Sequence, residues 1–242
     1  CESKCPSRRL ALTPRQRIVV QRELASIRLT GSDLAELDSV LQDFSYAGID
    51  TCAADGLCAT ACPVGINTGD YIKHLRAESV KDEKSALWIV NHFTLAERVI
   101  GTGVTLGHIA ENVIGTIGIN SIIQTAEKLS NTTLPKWNNS IPSHSSIRAE
   151  RSVSEVEAQF IYFPSCISRQ LGQPKSDSHL EGDCHLGLAE TLIAVSQRAN
   201  INLYIPDNTT GYCCGMPFAS KGYKQAYQLS LHNTLIQMWT WS

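Results

Sequence analysis

The stretch CAADGLCATACP, residues 52–63, decides how the rest of the chain is interpreted. Its three cysteines and final proline match most of the ferredoxin run C-x2-C-x2-C-x3-C-P, whose thiolates bind the iron atoms of iron–sulfur clusters. Counting from Cys52, the second cysteine of that run is expected at position 55, where the chain has Asp55. The stretch therefore predicts a cluster site in which one cysteine position carries a carboxylate.

A second piece of the same run stands at the start of the chain. Cys1-x3-Cys5-Pro repeats the spacing of Cys58-x3-Cys62-Pro. In two-cluster ferredoxins the fourth cysteine of each run binds the cluster of the other run. We therefore expect two clusters, each of which takes one cysteine ligand from the other run. Cluster A takes Cys1, Cys62 and two cysteines from sequence before the chain, and cluster B takes Cys5, Cys52 and Cys58 with Asp55 at its fourth corner. In the isolated chain we expect cluster A to be empty and cluster B to form.

Asp55 has three interpretations that the sequence leaves open. It is a carboxylate ligand to one iron of a 4Fe-4S cluster, since carboxylates are harder ligands than thiolates. Alternatively, it stands beside an open corner, which would give a 3Fe-4S cluster. In the third interpretation it is a solvated turn residue before Gly56.

The nine cysteines also allow interpretations that involve no iron. An odd number in a chain with no secretory pattern argues against a disulfide framework. A zinc-stabilised structural or interaction module is the alternative of another class, because zinc also binds clustered thiolates. Two C-x3-C-P units, with Cys52 six residues before one of them, favour iron over zinc.

The order of sequence patterns predicts a mainly α fold with a smaller α/β part. We expect a helical ferredoxin-like 4Fe-4S domain over 1–78, a helical connecting region over 79–130 that breaks at the glycines 101–103 and 115–118, and a Ser-, Asn- and Pro-rich linker over 131–156. In 157–242, the runs AQFIYFP and INLYIP predict strands on either side of a helix, which favours a parallel βαβ unit.

Composition excludes several classes of partner. The net charge is −2 and 18% of residues are charged, so nothing indicates binding to nucleic acid. No apolar run reaches the roughly 18 residues of a spanning helix, so we expect no transmembrane segment.

Three motifs in order resemble the iron–sulfur part of the FAD-linked D-lactate dehydrogenases. The first covers residues 1–24, which include TPRQR, and the second covers residues 46–76. The third is a pair, YFPSCISR (162–169) and GYCCGMPFASKGY (211–223), which resembles the first cysteine-rich CCG repeat of that family. The resemblance implies an α-helical ferredoxin domain followed by a partial CCG domain, in a chain that we expect to be a fragment.

The resemblance also implies a function. The chain would pass electrons from FAD, bound in a part of the longer protein that is missing here, through 4Fe-4S clusters to a quinone or cytochrome, as D-lactate is oxidised to pyruvate. The location would be cytoplasmic, peripheral on the cytoplasmic face of the inner membrane. Alternatives are the iron–sulfur subunits of glycolate oxidase, anaerobic glycerol-3-phosphate dehydrogenase or heterodisulfide reductase. No catalytic residue is expected in this chain. For Cys166, Cys213 and Cys214 the resemblance implies a redox or quinone-side role, or a noncubane cluster.

Overall fold

The computed structural model describes residues 2–31, 34–130, 134–145, 153–172 and 187–242, and in these ranges the chain is mainly helical, as predicted. The helices are α1 (Pro14–Thr30), α2 (Leu34–Phe44), α3 (Leu57–Thr60), α4 (Thr68–Ser79), α5 (Lys84–Asn91), α6 (Phe93–Ser130), α7 (Cys166–Gln170), α8 (Leu188–Arg198), α9 (Met216–Lys221) and α10 (Lys224–Trp241). Short 3-10 turns cover Glu2–Lys4 and Glu155–Glu157, a π-helical segment covers Ser45–Asp50, and the strands are β1 (Phe160–Ile161) and β2 (Leu203–Tyr204). Cys1 and part of the predicted linker lie outside the described residues.

The chain divides into two compact units. Unit 1 comprises Cys1–Leu87 and Gly215–Leu229, and unit 2 comprises Trp88–Cys214 and Ser230–Ser242. All four tryptophans of the sequence fall within unit 2. The predicted domain boundaries remain predictions.

In unit 1 the end signals of α1 follow directly from its sequence. Thr13 is the N-cap and Pro14 is the first helical residue, and Thr13 and Gln16 form a reciprocal capping box. The helix ends at Gly31, whose φ of 66° is in the left-handed region and whose N–H is donated to the Ile27 carbonyl. A capped start and a glycine stop fix the register of the helix, and with it which residues face inward.

The apolar core of unit 1 forms between α1 and α2. Leu24 and Ile27 of α1 pack with Leu37 and Phe44 of α2, and all four side chains are buried. Partly buried side chains surround this cluster: Leu12, Val20, Val40, Leu41, Ile49 and Leu75. Leu75 is contributed by α4, so the helix that follows the cysteine loop is attached to the same core. The loop carrying Cys52 and Cys58 is therefore held between elements that share one core.

The α/β part of unit 2 is smaller than the sequence predicts. The two strands pair in parallel, with Phe160 opposite Leu203 and Ile161 opposite Tyr204, as expected for the predicted pattern. Each strand is only two residues long, because Pro164 and Pro206 follow soon after and cannot donate a backbone hydrogen bond. A buried cluster of Ala189, Ile193 and Ile205 packs against Tyr162 and joins α8 to this sheet.

Helix α6 has only one of the two predicted breaks. Gly115 has non-helical backbone angles (φ 69°, ψ 169°), so the predicted interruption is present there. The break predicted near Gly101 is wrong, because the helix continues through it. At Gly101 an added Cβ would lie 2.5 Å from the His144 ring, and at Gly107 it would lie 2.1 Å from the Trp137 ring. These glycines let the 134–145 segment pack closely against α6, and they do not interrupt the helix.

No helix within the described ranges is long and apolar enough to cross a membrane.

Candidate functional site

The cysteine loop between α2 and α4 has a tight, unusual backbone. Ala54 has a φ of 53° and is 3% exposed, and Gly56 has a φ of 76°. A non-glycine residue at positive φ is uncommon and persists where its surroundings hold it. Here the Cα of Gly69, at the start of α4, lies close enough that an added Cβ would meet the Ala54 backbone at 3.3 Å. The loop is thus pressed against α4.

Asp55 lies exposed at the tip of this loop. Its Oδ1 accepts the Leu57 N–H at 3.1 Å, which ties the carboxylate to the start of α3. This bond is the one expected of a turn residue before Gly56. A carboxylate has a second oxygen, so the bond is compatible with each of the three interpretations of Asp55.

Arg17 is the most buried charged side chain near the predicted cluster B, at 1% exposure. Its Nε donates to the Gly48 carbonyl at 2.6 Å, and its Nη2 donates to the hydroxyls of Ser7 (3.0 Å) and Thr51 (3.3 Å). Its Nη1 points at the Sγ of Cys5 at 3.8 Å. One guanidinium therefore joins Cys5 to Thr51, the residue immediately before Cys52.

The charge of Arg17 is not matched by a carboxylate. Its partners are a carbonyl, two hydroxyls and a sulfur, and no Asp or Glu among the described residues forms an ion pair with it. A buried charge is costly unless it is paired. The sulfur of Cys5 is the one partner that can carry a negative charge. An anionic group bound through the Cys5 sulfur would therefore compensate the charge of Arg17.

A second buried arginine fixes Cys52. Nη2 of Arg76, on α4, donates to the carbonyls of Ile49 (2.6 Å), Asp50 (3.2 Å) and Cys52 (2.7 Å). Its Nη1 donates to the carbonyl of Ser220. Arg76 therefore caps the end of the π-helical segment and sets the position of the backbone from which the Cys52 side chain projects.

Cys62 is surrounded by backbone donors instead of an arginine. The N–H groups of Ile66 and Val64 lower the pKa of the Cys62 thiol below its ordinary value. The turn that aims them is closed by the Gly65 N–H, which is donated to the Cys62 carbonyl at 3.1 Å. Backbone N–H groups directed at a cysteine sulfur stabilise its thiolate and tune the potential of a cluster that it holds.

Cys58 is buried on α3, and its thiol lies 3.9 Å from the Oδ1 of Asn67. The 3-10 turn Glu2–Lys4, just before Cys5, packs beside α3. The structure thus places the turn before Cys5 beside the helix that carries Cys58, while Cys1 lies outside the described residues. The ligand set of cluster B remains a prediction. In the described ranges no three His, Cys, Asp or Glu side chains are arranged to hold a single metal ion. The thiolates of a cluster bind different irons and need not converge on one point.

In unit 2 the structure brings two of the three predicted CCG cysteines together. The thiol of Cys213 donates to the Sγ of Cys166, with 3.7 Å between the sulfurs. Cys166 is the first residue of α7 and is partly exposed, whereas Cys213 is 2% exposed. The adjacent Cys214 is exposed. The two neighbouring cysteines of the CCG motif therefore stand in different environments.

Helix α10 holds Cys213 in place. The hydroxyls of Ser230 (2.9 Å) and Thr234 (2.8 Å) donate to the Cys213 carbonyl, and the Thr234 Oγ1 accepts the Cys213 N–H at 3.1 Å. Both hydroxyl side chains are buried. The backbone of Cys213 is thus satisfied on both sides by one helix, which leaves its side chain directed at Cys166.

A buried ion pair supports the same loop from the other side. The guanidinium of Arg169 donates through Nε (3.1 Å) and Nη2 (2.6 Å) to one carboxylate oxygen of Glu97, on α6. The same guanidinium donates to the carbonyls of Pro164 (2.7 Å) and Tyr212 (2.6 Å), and the other Glu97 oxygen accepts the Gly211 N–H at 2.7 Å. The pair therefore links α6, the α7 region and the residues just before Cys213.

The pKa of the Cys166 thiol is lowered from 9.0 to about 6. The hydrogen bond from Cys213 is the largest cause, and the positive charge of Arg169 and the Ile167 N–H act in the same direction. Partial burial and the Glu97 carboxylate oppose the shift. Cys166 is therefore mainly a thiolate at neutral pH.

The supporting arginines and Glu97 were missed by sequence analysis. Arg17 lies within the TPRQR motif and Arg169 ends YFPSCISR, so both lie in stretches on which the family resemblance rests. A buried arginine in a polar helix looks like a solvated one when only the sequence is known. Nothing in the sequence links Glu97 to Arg169, which is 72 residues away.

Comparison of the chain with protein-family models, with curated proteins and with solved structures finds no match.

Proposed function

We propose that the chain is the electron-transfer portion of a flavin-linked D-2-hydroxy acid dehydrogenase, with D-lactate as the substrate of the whole enzyme. The sequence support is the resemblance of its three motifs to that family. The structural observation that carries the proposal is the buried Arg17, which faces Cys5 with no carboxylate partner among the described residues. A cluster bound through thiolates is an anionic group that would compensate this charge.

The chain's own residues would hold and tune such a group. Arg17 contacts the sulfur of Cys5, Arg76 fixes the backbone of Cys52, and the N–H groups after Cys62 favour its thiolate. The bound cluster would accept and release electrons one at a time. No described residue is assigned to acid–base catalysis, because the substrate chemistry would belong to the flavin.

The partners are part of the proposal. The FAD-binding dehydrogenase domain would belong to the same longer chain, and the acceptor would be a quinone or a cytochrome. The protein would work in the cytoplasm, peripheral on the inner membrane. These assignments rest on the resemblance of the sequence motifs.

Anaerobic reconstitution tests the proposal. The purified chain is incubated with ferrous iron and sulfide, desalted, and assayed for iron, sulfide and visible absorption. We expect a brown protein whose broad visible band bleaches with dithionite, and loss of that band in Cys58→Ser. Cys214→Ser, an exposed cysteine in unit 2, is the matched control and should keep the band.

Two outcomes would overturn the proposal. A chain that stays colourless but binds zinc stoichiometrically would support the zinc-stabilised module. A Cys58→Ser variant that takes up as much iron and sulfide as the unmodified chain would show that the bound iron does not use the cysteine loop.

A further inference from the structure

The Cys166 and Cys213 thiols are positioned to form a bond with each other. They are 47 residues apart in sequence, yet their sulfurs lie 3.7 Å apart. A disulfide needs about 2.05 Å between sulfurs, so the two side chains must move closer together for the bond to form. Both backbones are fixed, one at the start of α7 and the other by hydroxyls of α10.

The two thiols differ in a way that assigns separate roles. Cys166 is partly exposed and can be reached by a molecule from solvent, whereas Cys213 is buried behind it. The rate of thiol–disulfide exchange depends on access to the attacking thiol, so an external disulfide would react first with Cys166. Cys214 is exposed on the same loop, but the thiol that contacts Cys166 is that of Cys213.

We propose that Cys166 and Cys213 form a dithiol–disulfide couple that exchanges electrons with low-molecular-weight disulfides and thiols. This is a redox function of unit 2 that does not depend on iron. It goes beyond the proposed function, in which electrons move through the cysteines of unit 1.

The exchange balances in two steps. The Cys166 thiolate attacks one sulfur of an external disulfide, forms a mixed disulfide, and releases one external thiolate, which takes up a proton. Cys213 then loses its proton and attacks the Cys166 sulfur, which releases the second external thiol and leaves the Cys166–Cys213 disulfide. Two protein thiols are oxidised, and one external disulfide is reduced to two thiols.

The neighbouring charges support this sequence of steps. The guanidinium of Arg169 stabilises the attacking thiolate, and the hydrogen bond from Cys213 does the same. That hydrogen bond also places the Cys213 thiol next to the Cys166 sulfur, which Cys213 attacks in the second step. The Glu97–Arg169 pair holds Tyr212 in place and so keeps Cys213 in reach.

Redox titration with mass spectrometry tests the proposal. The chain is equilibrated without metal at graded ratios of oxidised to reduced glutathione, quenched in acid, and alkylated with a mass tag. We expect the number of tagged cysteines to fall from nine to seven in one step, and digestion to recover a peptide pair joined through Cys166 and Cys213. Cys214→Ser should retain the step, and Cys166→Ser should abolish it.

Titration of the unmodified chain decides the matter even if a variant folds poorly. Recovery of a Cys213–Cys214 or a unit 1 disulfide, with Cys166 still tagged at every ratio, would overturn the proposal. A step lost only after iron and sulfide are added, with one cluster bound through these cysteines, would overturn it in favour of a cluster site in unit 2. Neither result bears on cluster formation in unit 1, which the reconstitution with Cys58→Ser measures separately.

Discussion

Removing one partner of the buried Glu97–Arg169 pair should strongly destabilise unit 2. The Glu97 side chain is 3% exposed and that of Arg169 is 7% exposed, so neither charge can be solvated if the other is deleted. Glu97→Ala also leaves the Gly211 N–H without its acceptor. Loss of one member of a buried pair costs about 3–5 kcal/mol. We expect a decrease of that size in the free energy of unfolding.

A double-mutant cycle isolates the contribution of the pair. Arg169→Met alone leaves a buried carboxylate and should cost a similar amount. The double variant Glu97→Ala/Arg169→Met buries no lone charge, so its cost should be smaller than the sum of the single costs by about 1.5–3 kcal/mol. The matched control is Arg98→Met, an exposed charge on the next residue of α6, which should change stability by less than about 0.5 kcal/mol.

Urea unfolding followed by tryptophan fluorescence is the assay. All four tryptophans lie in unit 2, so the fluorescence transition reports this unit without a contribution from unit 1. Single costs that add within about 0.5 kcal/mol in the double variant would refute the reasoning, because they would mean that the two charges do not depend on each other in the folded chain.

Two further predictions concern the other supporting contacts. Arg17→Gln removes guanidinium bonds to Gly48 and Thr51 in a 1% exposed site and should lower the stability of unit 1 by about 2–4 kcal/mol, measured by circular dichroism. Arg15→Gln, at an exposed position, is its control, and an equal effect of both variants would contradict the prediction. Because the pKa of Cys166 is lowered to about 6, its alkylation by iodoacetamide should reach half its maximal rate near pH 6 and level off above it. Cys213→Ala removes the main cause and should move that midpoint upward, and an unmoved midpoint would assign the shift to Arg169 and Ile167 instead.

The starts of helices are set by local signals in the sequence. Thr13 and Pro14 start α1, and Asn67 caps α4 by accepting the Gly69 N–H, because these residues act through contacts with their immediate neighbours. Gly101 was misinterpreted for the opposite reason. Its role depends on the His144 ring, which approaches from a distant part of the chain, and local pattern cannot distinguish such a glycine from a helix break.

The candidate site shows the same difference between local sequence signals and contacts from distant parts of the chain. Spacing indicated Cys5, Cys52 and Cys58 as ligands, and the structure places the turn before Cys5 beside the helix of Cys58. The family resemblance pointed to Cys166, Cys213 and Cys214 together, but it could not indicate that the first two would be in contact while Cys214 stays exposed. The buried arginines were missed because their partners are mostly backbone carbonyls, which every residue carries. Only the folded backbone determines which carbonyls converge on one guanidinium.

The bond between the Gly211 N–H and Glu97 gives one loop amide an unusual property. Amides in loops ordinarily exchange their hydrogen with solvent quickly, because small local openings expose them. The Gly211 hydrogen is instead held by a carboxylate that is itself buried and paired. Its exchange therefore requires the opening of unit 2 around the ion pair. The rate of deuterium uptake at the Gly211 amide would therefore measure how often the segment leading to Cys213 separates from α6.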